Sequence, residues 1–154
     1  MAVNVIEPTN EHCKQLAPRL RPHEIEEVTV AYPDKSIEDI LITCLEISSE
    51  SYCIYDDDLG CIALFGVTVV DEESGIPWML SSQEFFTANK RRFIKETPDY
   101  LDKLFGKRKH LYNYVSAKNV LSQRWLKHLG FTIHKDKRVK FKNVLFFPFD
   151  IKRT

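Results

Sequence analysis

The side chains best suited to binding an anion are concentrated in one half of this chain. Residues 85–154 carry 18 basic and 5 acidic side chains, a net charge of +13, whereas residues 1–84 carry 4 basic and 17 acidic, a net charge of −13. The 154-residue chain therefore has a formal charge of zero. A cluster of cations can bind nucleic acid or a phosphate-rich cofactor. The same asymmetry also fits two oppositely charged faces of one domain that hold each other.

Sequence motifs for several other kinds of site are absent. The five glycines are too scattered for G-x-G-x-x-G or G-x-x-x-x-G-K-[ST], which excludes Rossmann dinucleotide and P-loop sites. There is no G-x-S-x-G nucleophile elbow, and His23-Glu24 lacks the second histidine of H-E-x-x-H. Four cysteines without C-x-x-C spacing indicate reduced thiols, and neither a zinc site nor a disulfide framework: Cys13, Cys44, Cys53 and Cys61.

Three consecutive aspartates, Asp56 to Asp58, precede Leu59-Gly60 in the manner of a calcium-binding loop. Val67 stands at the twelfth position of that loop, where calcium coordination needs a bidentate glutamate. The segment is therefore predicted to be the turn of a β-hairpin.

The spacing of apolar residues predicts the elements that position these groups. Ser36 with Asp39 resembles a capping box before one of the helices, and Pro148 indicates that the last strand lies at a sheet edge. The expected strands are 3–7, 51–55, 61–70, 76–82, 111–116, 131–134 and 144–151. The expected helices are 11–20, 23–31, 36–48, a segment from about 88 to 105 that Pro98 kinks, and 120–129, which Gly130 ends.

This order predicts an α+β (mixed α/β) fold in which a central mixed sheet carries helices on both faces. No repeat, low-complexity tract or linker is present, so residues 1–154 are expected to form one domain. No apolar run reaches the roughly 18 residues of a membrane span. The first residues lack the pattern of a signal peptide, so we expect neither secretion nor membrane insertion.

The segment from Leu111 to Phe131 has the sequence LYNYVSAKNVLSQRWLKHLGF. At the helix start, Asn119 can either cap the helix or meet a ligand amide, and Trp125 is expected to belong to the core. With Asn119, Ser122, Trp125-Leu126 and Gly130-Phe131 at their spacings, the segment resembles motif B of the GNAT-type N-acetyltransferases. The element order resembles that of the same family over nearly the whole chain.

This resemblance implies acetyl-CoA as cofactor, with its pantetheine in a gap between the strands at 76–82 and 111–116. Its pyrophosphate would meet amides at the start of the next helix, where Lys90, Arg91 and Arg92 supply positive charge. The resemblance assigns the following residues to cofactor binding: Leu80, Ser81, Ser82, Thr87, Ala88, Asn89, Lys90, Arg91 and Asn119.

Two departures from the family pattern bear on catalysis. The loop from Ser82 to Arg92 contains no glycine, although the family's loop uses glycine to bring its backbone close to the phosphates. The tyrosine that serves many relatives as general acid is replaced by Leu126, so Tyr112 or Tyr114 would have to supply the proton. A general base could be Glu84 or an acid within 71–73, and backbone N–H groups of residues 79–81 could stabilise the oxyanion.

Three short strings give a more specific resemblance: Trp78-x-x-Ser81-Ser82, Lys90-Arg91-Arg92-Phe93 and Leu111-Tyr112-Asn113-Tyr114-Val115. They are similar to short GNAT-like proteins of tailed bacteriophages related to T7, some of which are described as internal virion proteins. That resemblance implies a location in the bacterial host cytoplasm or inside the virion.

Three functions follow as hypotheses. The first is an acyl-CoA-dependent N-acyltransferase that acts on an amine. The second is a catalytically inactive GNAT-fold protein that binds a host or phage protein. The third is a nucleic-acid-binding module that uses the basic runs at 107–110 and 135–142, with Phe141 available to stack on a base.

Overall fold

An eight-stranded mixed sheet forms the centre of the molecule. The structure is a computed structural model that describes residues 3–87 and 99–153. The strands lie in the order β1-β2-β3-β4-β5-β8-β6, with β7 on the same side of β8 as β6. Their bounds are β1 Val3–Ile6, β2 Glu50–Asp56, β3 Gly60–Val69, β4 Ser74–Ser81, β5 His110–Ser116, β6 Thr132–Ile133, β7 Val139–Phe141 and β8 Val144–Lys152.

Helices begin where the sequence supplies a cap. The Thr9 side chain accepts a hydrogen bond from the N–H of His12, and that of Ser36 accepts one from Asp39. The last helix ends at Gly130, whose φ of 104° is in the left-handed region. The helices are α1 Asn10–Leu16, α2 Pro22–Ala31, α3 Ile37–Ile47, α4 Gln83–Thr87, α5 with residues 99–105 helical, and α6 Val120–Leu129.

Two apolar cores lie on opposite faces of the sheet. Cys53 and Leu64 belong to one core and their neighbours Ile54 and Phe65 to the other, because successive strand residues point to opposite faces. The first core is completed by α1 and α3, and the second by α4 and α5. This arrangement confirms the α+β fold with a mixed sheet covered by helices on both faces.

The turn at Asp56 is a β-hairpin, as predicted. Asp56 Oδ1 accepts hydrogen bonds from the N–H groups of Asp58 at 2.8 Å and Leu59 at 3.0 Å. Gly60, with a φ of 82°, then starts β3. The four cysteines are free thiols, which confirms that expectation.

Two local predictions were wrong. Residues 83–87 form a short helix instead of a loop. The last strand is internal: Pro148 pairs in register with Tyr114, and its carbonyl accepts a hydrogen bond from His134 N at 2.8 Å. Its missing N–H therefore faces the break between β6 and β7, where no ladder hydrogen bond is lost.

The structure does not describe residues 88–98. The kink predicted at Pro98 and the predicted start of that helix near residue 88 therefore lie outside the described residues. In the segments 3–87 and 99–153, no helix is long and apolar enough to cross a membrane.

Candidate functional site

The strands β4 and β5 diverge from a short region of pairing. They are parallel neighbours at only two residue pairs, Ser74 with His110 and Gly75 with Leu111. Further along, the Asn113 side chain bridges the widening gap, because its Nδ2 donates to the carbonyl of Pro77 at 2.8 Å. A cavity of about 570 Å³ opens between the two strands and is bounded by α2, α6 and the β7–β8 hairpin. This volume lies in the range of small-molecule binding sites.

Backbone groups of β4 point into this gap. The carbonyl of Pro77 accepts from Asn113, and the N–H of Ser81 meets a glutamate on α2, so both residues direct their peptide groups away from β3. Because the direction of strand peptide groups alternates, Met79, midway between them, directs its N–H and C=O to the same side. Met79 lines the cavity, which gives the gap an oriented N–H donor.

A buried polar network joins α2 to the ends of both strands. The Arg21 guanidinium donates from Nη2 to Asn119 Oδ1 at 2.8 Å and from Nη1 to Ser122 Oγ at 3.2 Å. Its Nη1 is 3.5 Å from Glu24 Oε2, and the Arg21 backbone N–H donates to Ser81 O at 3.2 Å. The guanidinium also lies over the ring of Phe86 at 4.7 Å. Arg21 thus connects the end of β4 to the start of α6.

Two carboxyl groups of α2 line the same cavity. Glu24 accepts hydrogen bonds from the N–H of Ser81 at 3.3 Å and from its Oγ. Glu27 Oε1 accepts from the N–H of Ser116 and from Asn119 Nδ2, both at 3.0 Å. Each carboxyl group is therefore held by a residue at the end of β4 or β5.

Burial changes the protonation of both carboxyl groups. It raises the pKa of Glu24 to about 8, outweighing the attraction to the Arg21 guanidinium. Burial also raises the pKa of Glu27 above its ordinary value, against the hydrogen bonds from Asn119 and Ser116. A raised pKa moves a carboxyl group towards the range in which a general acid or base works.

Several residues expected to bind a cofactor lie together at this site. Leu80 and Ser81 line the cavity, and Asn119 is buried at its edge, hydrogen-bonded to Arg21 and Glu27. Asn119 also caps α6, since its Oδ1 accepts from the N–H of Ser122 at 3.3 Å. The helix-cap alternative for Asn119 is confirmed, and its contact with a ligand amide stays a prediction.

Other predicted binding residues lie elsewhere. The N–H and Oγ of Ser82 both donate to Ile62 O, at 2.9 and 3.1 Å. Thr87 ends α4, with its Oγ1 donating to Gln83 O at 3.3 Å. Ala88, Asn89, Lys90 and Arg91 lie outside the described residues, so their phosphate-binding role stays a prediction.

The three weak catalytic candidates have different surroundings. Tyr114 lines the cavity and is about half exposed. Tyr112 packs near His110, with ring centroids 5.2 Å apart. Glu84 forms an ion pair with Arg19 at 3.0 Å, and hydrogen bonds outweigh its partial burial to lower its pKa. Of the three, Tyr114 is the one that lines the cavity.

Two residues of the motif-like segment separate the large cavity from a smaller one. Trp125 and Leu126 line both the large cavity and an apolar cavity of about 80 Å³. Trp125 packs edge to face against the core residue Phe85 at 5.4 Å. Trp125 therefore makes the predicted contact with the core and also lines the large cavity.

Three residues at this site were not predicted from the sequence: Arg21 at the N-cap of α2, and Glu24 and Glu27 within the helix. They recur at intervals of three residues, which places them on one side of the helix. That spacing of charged residues was the available signal.

Comparison with known proteins gives two findings. Residues 71–137 match a family model described as "Bacteriophage T7, probable scaffold protein Gp13". No curated protein matches the chain in sequence.

Solved structures of similar fold are GNAT acetyltransferases. A spermidine N-acetyltransferase from Vibrio cholerae in complex with CoA and spermine superposes with a TM-score of 0.69 at 13% identity, over 97% of this chain and 95% of that one. A GNAT-family acetyltransferase from Bacillus anthracis gives 0.68 at 9% identity, over 99% and 95%. A Bacillus subtilis acetyltransferase in complex with CoA gives 0.62 at 13% identity, over 99% and 98%. The chain therefore has the GNAT fold, and its central segment matches a family model described from bacteriophage T7.

Proposed function

We propose that this protein binds an acyl-CoA and an amine in the gap between β4 and β5 and transfers the acyl group to the amine. The observation that carries the proposal is the divergence of these strands, which directs the Met79 N–H towards a cavity of about 570 Å³. Glu24 and Glu27 line the wall of this cavity. The CoA complexes of proteins with the same fold support the same ligand class.

The residues around the gap fit the thioester end of an acyl-CoA. Backbone groups of β4 can pair with the amides of an extended ligand, as the Asn113 side chain already does with Pro77 O. Trp125 and Leu126 provide an apolar wall beside Met79. When bound, acyl-CoA supplies an acyl group activated by its thioester.

Each reacting atom has a residue of this chain assigned to it. The amine nitrogen attacks the thioester carbon, forming a C–N bond while the C–S bond breaks. Met79 N–H stabilises the charge that develops on the carbonyl oxygen. Glu27 accepts the proton that the amine loses, because it lines the cavity and its pKa is raised. With Leu126 in place of the family's tyrosine, the Tyr114 hydroxyl supplies the proton to the departing thiolate.

Binding is tested first, by calorimetry and thermal unfolding with CoA and acetyl-CoA. A ligand at 100 times its Kd should stabilise the protein by about 2.7 kcal/mol. The absence of both heat and stabilisation at millimolar concentrations of either coenzyme would contradict the proposal.

Transfer is then tested with Glu27→Gln. General acid–base catalysis contributes about 10²- to 10⁴-fold, so kcat should fall by that amount while the affinity for CoA is retained. Glu11→Gln, an exposed change on α1, is the matched control and should have wild-type activity. Equal activity of wild type and Glu27→Gln would remove Glu27 from the mechanism.

A second function is favoured by a different observation. The hydrogen bond from Arg21 to Asn119 spans the gap between the ends of β4 and β5. A ligand that lies along the gap would have to extend past this hydrogen bond. Together with Leu126 and the family description as a probable scaffold protein, this supports a GNAT-fold protein that binds a phage or host protein without catalysis. Failure to bind CoA, with assembly defects in particles lacking the protein, would favour this function.

The proposed location follows from the same match. We place the protein in the cytoplasm of a bacterial host during phage growth, or inside the assembled virion. Mass spectrometry of purified particles and of the infected-cell supernatant distinguishes the two.

A further inference from the structure

The strands of the acidic half of the sequence and those of the basic half occupy opposite ends of the sheet. Strands β1 to β4 come from residues before 82, and β5 to β8 come from residues after 109. Because the order is β1-β2-β3-β4-β5-β8, the two groups of strands meet at the diverging β4–β5 pair. The surfaces at the two ends of the sheet therefore come from different halves of the sequence.

The ion pairs among the described residues each lie within one half of the sequence. Within 3–87 and 99–153, the acidic half contains the pairs Arg19–Glu84 and Arg21–Glu24. The basic half contains contacts from Asp150 to His110 and His134, and the pair Arg153–Asp102. None of the ion pairs in these described ranges joins the two halves.

The basic end carries an exposed apolar hairpin. Val139 and Phe141 of β7 are 45% and 53% exposed. The hairpin turns through Lys142 and Asn143, whose positive φ angles of 47° and 68° match a two-residue turn. Lys140 lies between the two apolar residues, so the hairpin presents an aromatic ring flanked by cations.

The acidic end carries a groove beside the edge strand β1. The groove has a volume of about 660 Å³ and combines apolar and acidic side chains. Lys103 is the cation among its lining residues, and it lies over the ring of Tyr52 at 5.3 Å. The apolar members are Val5, Ile6, Leu45 and Tyr52, and the acidic members are Glu7, Glu46 and Glu50.

We propose that the β7–β8 hairpin of one copy docks into the β1 groove of a second copy of this chain. The hairpin offers an apolar ring with lysines, and the groove offers apolar walls with glutamates, so the two surfaces are complementary in charge and share apolar character. The two surfaces lie at opposite ends of the same sheet, so the contact joins unlike patches. Such a contact leaves one hairpin and one groove free at the ends, and association continues head to tail.

The test uses two variants that each block one end. Phe141→Ser with Lys140→Gln removes the hairpin's ring and one of its charges. Glu7→Lys with Glu46→Lys reverses the charge of the groove. All four positions are exposed, so both variants should keep the wild-type unfolding temperature.

Sedimentation velocity is measured at about 50 mM and about 500 mM NaCl, because screening weakens contacts between exposed charges. Wild type should form species that grow with concentration at low salt and dissociate at high salt. Each variant alone should be a monomer. An equimolar mixture should form a dimer and nothing larger, because one intact hairpin then meets one intact groove.

Three results would overturn the proposal. One is a monomeric wild type at about 100 µM in low salt, a concentration at which even weak contacts are populated. A second is a mixture that stays monomeric. A third is a monomer that binds a nucleic-acid duplex through Lys140 and Lys142. Phe141 and Lys140 line the cavity proposed for CoA, whereas Glu7 and Glu46 line the separate groove. CoA binding is therefore measured on the variant with Glu7→Lys and Glu46→Lys, which leaves that cavity unchanged, so this proposal and the proposed enzymatic function fail independently.

Discussion

At the scale of single residues, three side chains at the N-cap of α2 and along the helix determine the chemistry of the gap between β4 and β5. Arg21 connects the end of β4 to Asn119, while Glu24 and Glu27 contact the strand ends at Ser81 and Ser116. Burial of such groups is costly unless each is hydrogen-bonded, and these are. The network therefore fixes α2 against both halves of the sheet.

The raised pKa of Glu24 predicts a specific pH dependence of stability. The native carboxyl group keeps its proton to a pH of about 8, whereas in the unfolded chain it loses the proton near its ordinary value of 4.5. Between these values the native state binds more protons, so the free energy of unfolding falls as pH rises, by up to about 1.4 kcal/mol per pH unit. Glu24→Gln should flatten this slope in urea unfolding measured from pH 5 to 8.

The control for this experiment is Glu11→Gln, which leaves the buried site intact and should keep the wild-type slope. Parallel slopes for wild type and Glu24→Gln would show that the Glu24 carboxyl group does not titrate in this range.

The sequence allowed Asn119 to be found but not its partners. An asparagine before a helix is a local signal, because the cap depends on residues three positions apart. The partners Arg21 and Glu27 are separated from Asn119 by 98 and 92 positions. Such contacts depend on how α2 packs against the sheet, which one sequence does not specify.

At the scale of elements, the pairing of β2 with β3 depends on a close backbone approach. Gly66 lies opposite Ser51, and a Cβ added there would be 2.5 Å from the carbonyl oxygen of Glu50. The obstacle is backbone in a paired strand and cannot move aside as a side chain would.

Gly66→Ala should therefore lower the free energy of unfolding by about 3 kcal/mol, at the upper end of the cost of overpacking. Gly106→Ala is the matched control, with a φ of 55° but no neighbouring atom closer than 3.6 Å, and should cost about 1 kcal/mol. Urea unfolding measures both. A larger loss for Gly106→Ala would contradict the steric explanation.

Most strands and helices were predictable because their apolar residues recur at period 2 or 3.6. The errors have local causes. Residues 83–87 were predicted to be part of a loop, but Phe85 among them is buried in the core. Pro148 indicated an edge, since proline cannot donate to a ladder, but β6 and β7 pair with separate parts of β8 and leave its nitrogen unopposed.

At the scale of the whole molecule, a formal charge of zero combines two halves of the sequence with net charges of −13 and +13. Like charges within one half repel each other, and this repulsion opposes the attraction between the halves. Direct ion pairs between the halves would strengthen the attraction, and the described segments contain none.

Added salt should therefore stabilise the monomer. The unfolding temperature of the variant with Phe141→Ser and Lys140→Gln, which does not self-associate, should rise between about 20 mM and about 200 mM NaCl as the repulsion is screened. Calorimetry at constant pH measures this. A fall in unfolding temperature over the same range would indicate that attraction between the two ends dominates.

The division of the sheet also has a consequence for biosynthesis. Every pairing partner of β1, β2 and β3 lies within the first 81 residues. One of the two apolar cores is likewise built from residues 13 to 80. The first four strands and α1 to α3 can therefore assemble before β5 has emerged from the ribosome. The half that emerges later, with its excess of positive charge, then packs against an acidic half that has already folded.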